Sequence, residues 1–253
     1  MDFPAVGFWR VRRQSVIAPT MKEAFRQITE WVFDLDNTLY PRHTDLFKQI
    51  DWKITDYVAR LTGLGEDEAR KLQKQLYRDH GTTLNGLMME YDIDPHDYLA
   101  CVHDIDYGEV EANPALGELI ASLPGRKHIF TNGDVRHAEN TLQAIGIGPV
   151  FDSMFDIVAA DFEPKPARGP YEKFLKAHVV HPGEAAMFED MPHNLVAAHD
   201  LGMRTVLVHS SYMDHPAQAK IRTWTKPPVH IHHMTNDLAR FLADVPLAGT
   251  TKP

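Results

Sequence analysis

Trp31-Val32-Phe33-Asp34-Leu35-Asp36-Asn37-Thr38-Leu39 is the stretch on which the reading of this chain turns. Its first half is apolar, and the run ends in two aspartates one residue apart. Three later runs have the same form: His128-Ile129-Phe130 before Thr131, Ala185 to Phe188 before Glu189, and Thr205 to Val208 before His209. Short apolar runs separated by helical stretches predict buried parallel strands joined by crossover helices. Met154 to Ala159 and Val229 to His233 are weaker strand candidates. Helices are expected from Arg136 to Ile145, Gly169 to His178, Asn194 to Leu201 and Asn236 to Ala243, with Gly146 and Gly202 where helix C-termini stop.

From about Thr44 to Asn113 this rhythm breaks. Leu46, Ile50, Ile54, Tyr57, Val58 and Leu61, then Ala69, Leu72 and Leu76, recur at helical spacing, and strand signals are nearly absent. The pattern predicts a helical insertion between the first and second core strands. The expected organisation is therefore α/β: a Rossmann-like parallel-sheet core over 21–43 and 114–253, with an inserted α-helical cap over 44–113. Candidate hinges are Tyr40-Pro41 and Asn113-Pro114. Residues 1–20 are expected to be a disordered extension or the product of an upstream start codon chosen in error. Their apolar stretch Phe3 to Trp9 precedes the basic Arg10, Arg12 and Arg13, the reverse of a secretory signal.

Composition narrows the function. In 253 residues, 43% are hydrophobic and 24% charged, which excludes a disordered or fibrous chain. Lys and Arg total 26 against 35 Asp and Glu, a net charge of −9, so a protein living on long nucleic acid is disfavoured. No apolar run approaches the roughly 18–20 residues needed to span a membrane. The lone Cys101 excludes an internal disulfide and any Cys-based zinc site, and fits a reduced cytoplasmic setting.

The chemistry sits at the expected strand ends, where open parallel sheets bind ligands. Asp34 and Asp36 would repel each other unless a cation or a proton lay between them, and Mg²⁺ is the hard cation suited to such oxygens. The same Asp36-Asn37-Thr38 also reads as a turn with a helix cap. Thr131-Asn132-Gly133-Asp134 follows the second strand, with a hydroxyl and backbone N–H groups able to hold phosphate oxygens. Lys165 stands between Pro164 and Pro166, where a tethered ammonium could neutralise phosphate and an attacking carboxylate together. Glu189-Asp190 adds acidic groups that could complete a metal shell.

As a set, DLDNTL at 34–39, TN at 131–132, Lys165 and ED at 189–190 resemble the motifs of the haloacid dehalogenase (HAD) superfamily, and the insertion looks like its C1-type cap. Closer similarity is to the pyrimidine 5′-nucleotidase-like branch, carried by VFDLDNTLYP at 32–41, YRDHGTTLNGLM at 77–88, YLACVHDI at 98–105, FTNGDVRHA at 130–138 and FEDMPHNLVAAHDLGM at 188–203. The resemblance implies that Asp34 is a nucleophile forming an aspartyl-phosphate. Asp36 is then the acid that protonates the leaving alkoxide and later the base that deprotonates water. Mg²⁺ falls to the Asp34 carboxylate, the Asp36 backbone carbonyl and Asp190, with Glu189 close or linked through water. Thr131, Asn132 and Lys165 hold the phosphoryl oxygens. Dehalogenases as a family lack the second acid, so Asp36 directs the expectation to phosphate esters.

Substrate choice then falls to the cap, where Thr82, Thr83 and His103, with Asp104, are candidates to face a base or sugar; they read equally as residues that cap and pack helices. Asn194 braces a metal loop or caps a helix. His230, His232 and His233 are read as surface or strand-end residues, Met88 and Met89 as core, and Glu66-Asp67-Glu68 as a solvated face. The expected activity is Mg²⁺-dependent hydrolysis of a small phosphorylated metabolite, nucleoside 5′-monophosphates first and pyrimidine ones preferred. Alternatives are a phosphatase or mutase acting on a sugar phosphate, phosphoglycolate or another small phosphometabolite, and an inactive metabolite-binding protein.

Overall fold

Trp31, Val32 and Phe33 are wholly buried, and they lie in the central strand of a six-stranded parallel sheet. The computed structural model describes residues 20–210 and 216–245, so the extension expected over 1–20 lies, apart from Thr20, outside the described residues. Strands β1 (Glu30–Phe33), β2 (Arg126–Phe130), β3 (Ser153–Phe155), β4 (Ala185–Glu189), β5 (Arg204–Val208) and β6 (His233–Thr235) stand in the order β3-β2-β1-β4-β5-β6. Alternation along each strand sends side chains to two separate cores. Trp31, Phe33, Ile129, Phe188 and Val206 face one layer, which holds α1 (Met21–Phe25), α6 (Pro114–Ser122), α7 (Val135–Ile145) and α11 (Leu238–Asp244). Val32, Phe130, Met187 and Leu207 face the other, with α8 (Arg168–Ala177) and α9 (Leu195–Leu201). Burial on both faces is why these strands read as continuous apolar runs.

The first layer is locked by aromatics. Phe33 stacks on Phe188 at 4.7 Å, and the Trp31 indole donates a 2.7 Å hydrogen bond to the Pro124 carbonyl, so its one polar group is satisfied in the core. Gly146 and Gly202 take left-handed conformations at the ends of α7 and α9, as the sequence predicts.

Between β1 and β2 the chain forms α2 (Leu46–Thr62), α3 (Glu66–His80), α4 (Thr83–Tyr91) and α5 (Pro95–Val102). Val58, Ala69, Leu76, Leu87, Leu99 and Val102 make a third core. Ile157, from the loop after β3, is buried in that same cluster, so the helical insertion is seated on the sheet layer by shared apolar burial.

Several local expectations are corrected. The last strand lies later than Val229 to His233: Val229 is 85% exposed, and the Thr205 hydroxyl occupies the His230 carbonyl and the His232 N–H before pairing begins at His233. The third strand ends at Phe155, where Asp156 turns the chain by accepting the Ala159 N–H. Met89 is 69% exposed, leaving Met88 alone to pack against the third core, and Leu61 lies at the solvent side of its helix. His233 is a strand-end residue, as expected: it opens β6 and packs its ring on Phe25 and Phe241. Helix α1 was not anticipated, although Thr20 and Glu23 form a capping box that the sequence spells out.

Candidate active site

The strand order reverses at β1: the chain runs outward through β2 and β3, then returns to lay β4 on the other side. Such a switch point opens a crevice at the carboxyl ends of the two strands. Asp34 follows β1, and Glu189 and Asp190 end β4, so the topology alone brings three carboxylates together. The Asp34 N–H donates to the Phe188 carbonyl at 2.9 Å, which extends the ladder and fixes the nearest pair of acidic residues in register. Asp34, Glu189 and Asp190 are all buried, and each offers a carboxylate oxygen within 4.8 Å of the others.

Lys165 is the cation among them. Its Nζ lies 2.8 Å from Asp34 Oδ1, 2.8 Å from Glu189 Oε2 and 2.8 Å from the Phe130 carbonyl. Asn132 places it: the Asn132 side chain accepts the Lys165 N–H at 2.8 Å and donates to the Lys165 carbonyl at 3.1 Å. Burial works against the ammonium, but Asp34 and Glu189 outweigh it and hold its pKa well above the ordinary lysine value. Burial, reinforced by Glu189 and opposed by Lys165, pushes the Asp34 carboxyl up to about 7. One ammonium cannot offset three buried carboxylates. That imbalance is what a hard divalent cation relieves, so the donor set fits a metal with oxygen ligands.

Asp36 occupies a different environment two residues on. Its Oδ1 accepts from the Tyr40 hydroxyl at 2.6 Å and from His137 Nε2 at 2.8 Å. Burial pushes its carboxyl upward, yet the His137 ring and the two hydrogen bonds prevail and hold it at about 2. Asn37, at φ 62°, sits in the left-handed region that Asn tolerates, and this turn swings Thr38 back so that its hydroxyl donates to Asp34 Oδ2 at 2.8 Å. Asp36-Asn37-Thr38 thus form a turn, and that turn leaves the Asp36 carboxylate on Tyr40 and His137 rather than in the acidic group of Asp34, Glu189 and Asp190.

Of the remaining sequence-predicted residues, Thr131 is buried just after the end of β2, with its hydroxyl accepting the Gly133 N–H at 2.9 Å. Thr82 caps α4 by accepting the Asn85 N–H, and Thr83 donates to the Gln73 carbonyl, so both hydroxyls are spent within the insertion. Gly81, next to them, approaches the core closely: a Cβ built there would lie 3.6 Å from Pro164. Asp104 is 81% exposed at its side chain and pairs with Lys53. Asn194 caps nothing with its side chain, and its carbonyl accepts the Tyr171 hydroxyl. His103, at the end of α5, stacks on His137 with ring centroids 4.4 Å apart; its Nδ1 is 3.2 Å from Asp134 Oδ1 but out of hydrogen-bonding alignment.

As site residues, sequence reasoning did not single out Tyr40 and His137, which hydrogen-bond Asp36, or Tyr107, whose hydroxyl lies against His137. The signal for His137 was present: it is the third residue after the Asp134 helix cap, on the apolar face of α7, where a histidine needs a partner.

The model of the family "haloacid dehalogenase-like hydrolase" matches residues 31–202. A relative, phosphate metabolism protein 8 of Saccharomyces cerevisiae, is 28% identical over 134 residues, 48% of this chain and 41% of that protein. The chain thus matches less than half the length of that relative. Among solved structures, CbbY from Rhodobacter sphaeroides in complex with phosphate is similar at a TM-score of 0.59 and 18% identity, over 86% of this chain and 99% of that one. L-2-haloacid dehalogenase from Xanthobacter autotrophicus follows at 0.52 and 16%, over 85% and 97%. Those two share the fold at low identity, while the family match takes in both acidic strand ends and Lys165. The chain belongs to the haloacid dehalogenase-like hydrolases.

Proposed function

We propose that this protein is a Mg²⁺-dependent phosphomonoesterase that forms an aspartyl-phosphate on Asp34. The observation that carries the reading is the second acid. Asp36 is held two residues from the nucleophile with Oδ1 tied to Tyr40 and His137, an arrangement for protonating an alkoxide that a halide leaving group would not need. Asp34, Glu189 and Asp190 would hold the cation, which when bound supplies charge neutralisation at the phosphoryl oxygens.

The chain's own residues do the rest. Lys165 keeps Asp34 as a carboxylate near a phosphate and offsets charge as it redistributes. Thr38 fixes the Asp34 Oδ2, orienting the carboxylate for attack. A phosphate dianion arriving beside Asp36 raises the proton affinity of its free oxygen, so the acid is loaded when substrate is present. Gly81 near Pro164 and His103 stacked on His137 bring the insertion against the site, where it shields the reacting phosphoryl group from bulk solvent while admitting the one water that the second half-reaction consumes.

Nucleoside 5′-monophosphates, pyrimidine ones first, are the substrate class we assign, on the resemblance of the segments 77–88 and 98–105 noted above. The test is phosphate release from a panel of nucleotides, sugar phosphates and phosphoglycolate, in Mg²⁺ and in EDTA. Selective Mg²⁺-dependent release from UMP or CMP is expected. Release from sugar phosphates or phosphoglycolate instead would replace the substrate class, and no release from any ester would overturn the phosphatase reading.

A further inference from the structure

We infer that His137 is a positioning residue for Asp36: together with Tyr40 it pins Oδ1 of the carboxylate and so makes Oδ2 the oxygen that meets the substrate. The inference rests on the phosphomonoesterase reading and goes beyond it, because nothing in the nucleophile, lysine or metal set requires a histidine here.

His137 has no exposed surface and lies on α7 among Ala138, Thr141, Leu142 and Ile145, where an aliphatic side chain would pack. A buried imidazole is costly unless both nitrogens find partners. Both do. Nε2 donates to Asp36 Oδ1 at 2.8 Å; Nδ1 is 3.0 Å from the Tyr107 hydroxyl, which also lies 3.2 Å from the His103 carbonyl and has one proton to give to one or the other. His103 then stacks on the ring at 4.4 Å, with the planes 15° apart. The imidazole is therefore held at both nitrogens and from one face, and two of the three groups doing so belong to the segment that follows α5.

A carboxyl free to rotate presents its two oxygens equally. Here both donors fall on one of them, and among the described residues no hydrogen bond falls on Oδ2. In the first half-reaction an Asp34 oxygen bonds to phosphorus, the bond from phosphorus to the ester oxygen breaks, and the proton on Asp36 Oδ2 passes to that oxygen. The negative charge left on Asp36 is met at Oδ1 by His137 and Tyr40. In the second half, a water oxygen bonds to phosphorus and its proton goes to Oδ2, while the phosphorus bond to Asp34 breaks and its carboxylate returns. His137 exchanges no proton in either half.

The test separates positioning from general structural damage by leaving group. p-Nitrophenyl phosphate has a leaving group that departs without a proton, whereas an alkyl phosphate needs one. His137→Phe keeps the ring stacked under His103 but removes the donor. In single-turnover measurements, which read the first half-reaction alone, it is expected to slow alcohol release from the alkyl phosphate by about 10- to 100-fold, part of what a general acid contributes. Single-turnover release of p-nitrophenol should stay within about threefold of wild type, because that ester needs Oδ2 only in the second half, where water attacks. His137→Gln, whose amide can reach Oδ1, should restore most of the loss. Equal losses on both esters, or a Gln variant no better than Phe, would overturn the inference. Should His137→Phe fail to fold, Tyr40→Phe removes the other donor on Oδ1 and must show the same leaving-group selectivity. A wild type inactive on both esters defeats the phosphatase reading instead. The crystal structure of His137→Phe then decides the positioning role: an Asp36 carboxylate turned from its place supports it, and an unmoved one overturns it.

Discussion

Lys165 and Asp34 are 131 residues apart in the chain, yet the lysine Nζ lies 2.8 Å from Oδ1 of the aspartate, with both side chains all but closed to solvent. The contact joins a loop before α8 to the end of β1, and the same Nζ reaches Glu189 at the end of β4. A single ammonium thus ties together three segments that would otherwise present unpaired buried charge.

Removing it should be felt twice. Lys165→Ala is expected to cut phosphoryl transfer at least about a hundredfold, the loss of one electrostatic stabiliser. It should also destabilise the fold in EDTA by about 3–5 kcal/mol, since the carboxylates lose their buried partner. Steady-state kinetics and urea denaturation check the two halves. A change in turnover below threefold would remove Lys165 from the reacting site.

Asp34→Asn is expected to abolish turnover, by roughly a thousandfold or more, while the fold survives, because the amide is isosteric but a poor nucleophile. The same variant exposes a pH effect. The Asp34 carboxyl titrates near 7 in the folded protein, against an ordinary value of 3.8, so between those values the native state holds a proton that the unfolded chain has released. Its contribution to stability is complete below about pH 4 and is lost as pH rises through 7. In EDTA, wild type should therefore lose stability relative to Asp34→Asn between pH 5 and pH 8. A difference in denaturation free energy that stays flat or grows in wild type's favour with pH would contradict this.

Divalent cation should stabilise the native state, because the unfolded chain does not assemble Asp34, Glu189 and Asp190. At a Mg²⁺ concentration a hundred times the Kd the gain is about 2.7 kcal/mol. Thermal melts with Mg²⁺ and with EDTA measure it, and Asp190→Asn should shrink the difference. A melting temperature indifferent to Mg²⁺ in wild type would mean that the acidic group does not hold the ion.

Gly125 tests the sheet rather than the chemistry. It has φ 85°, and a Cβ there would stand 2.0 Å from the Thr29 carbonyl, which accepts the Arg126 N–H at the start of β2. Gly125→Ala is expected to cost on the order of 3 kcal/mol, combining a strained backbone with a clash that only backbone movement relieves. Loss of less than 1 kcal/mol in urea denaturation would show that the β1–β2 entry is looser than drawn.

Much of the fold was legible because buried parallel strands declare themselves. The runs at 31–33, 128–130, 185–188 and 205–208 are apolar on both faces, and each ends where polar residues begin. The edge strands were less so. β3 and β6 are three residues each, and the segment before β6 is bonded through the Thr205 side chain rather than through strand pairing, so no apolar alternation marks it. At the site, Asp34, Lys165, Glu189 and Asp190 stand out as charged residues at strand ends or between prolines. His137 and Tyr107 do not, because a ring on the apolar side of a helix looks like core until its partner is seen.

Taken alone, then, the sequence determined the α/β order of elements, the helical insertion after the first strand, which acidic residues stand at the strand ends, and the lysine held between two prolines. Those follow from local periodicity and from residue type, which need no knowledge of neighbours. Only the tertiary structure decided that one ammonium serves both Asp34 and Glu189, that Asn132 clamps the backbone of Lys165, and that Asp36 is held on one oxygen by Tyr40 and His137. Hydrogen-bond pairing between distant segments depends on strand order and on distances of about 3 Å, and neither is written in the spacing of residues along the chain.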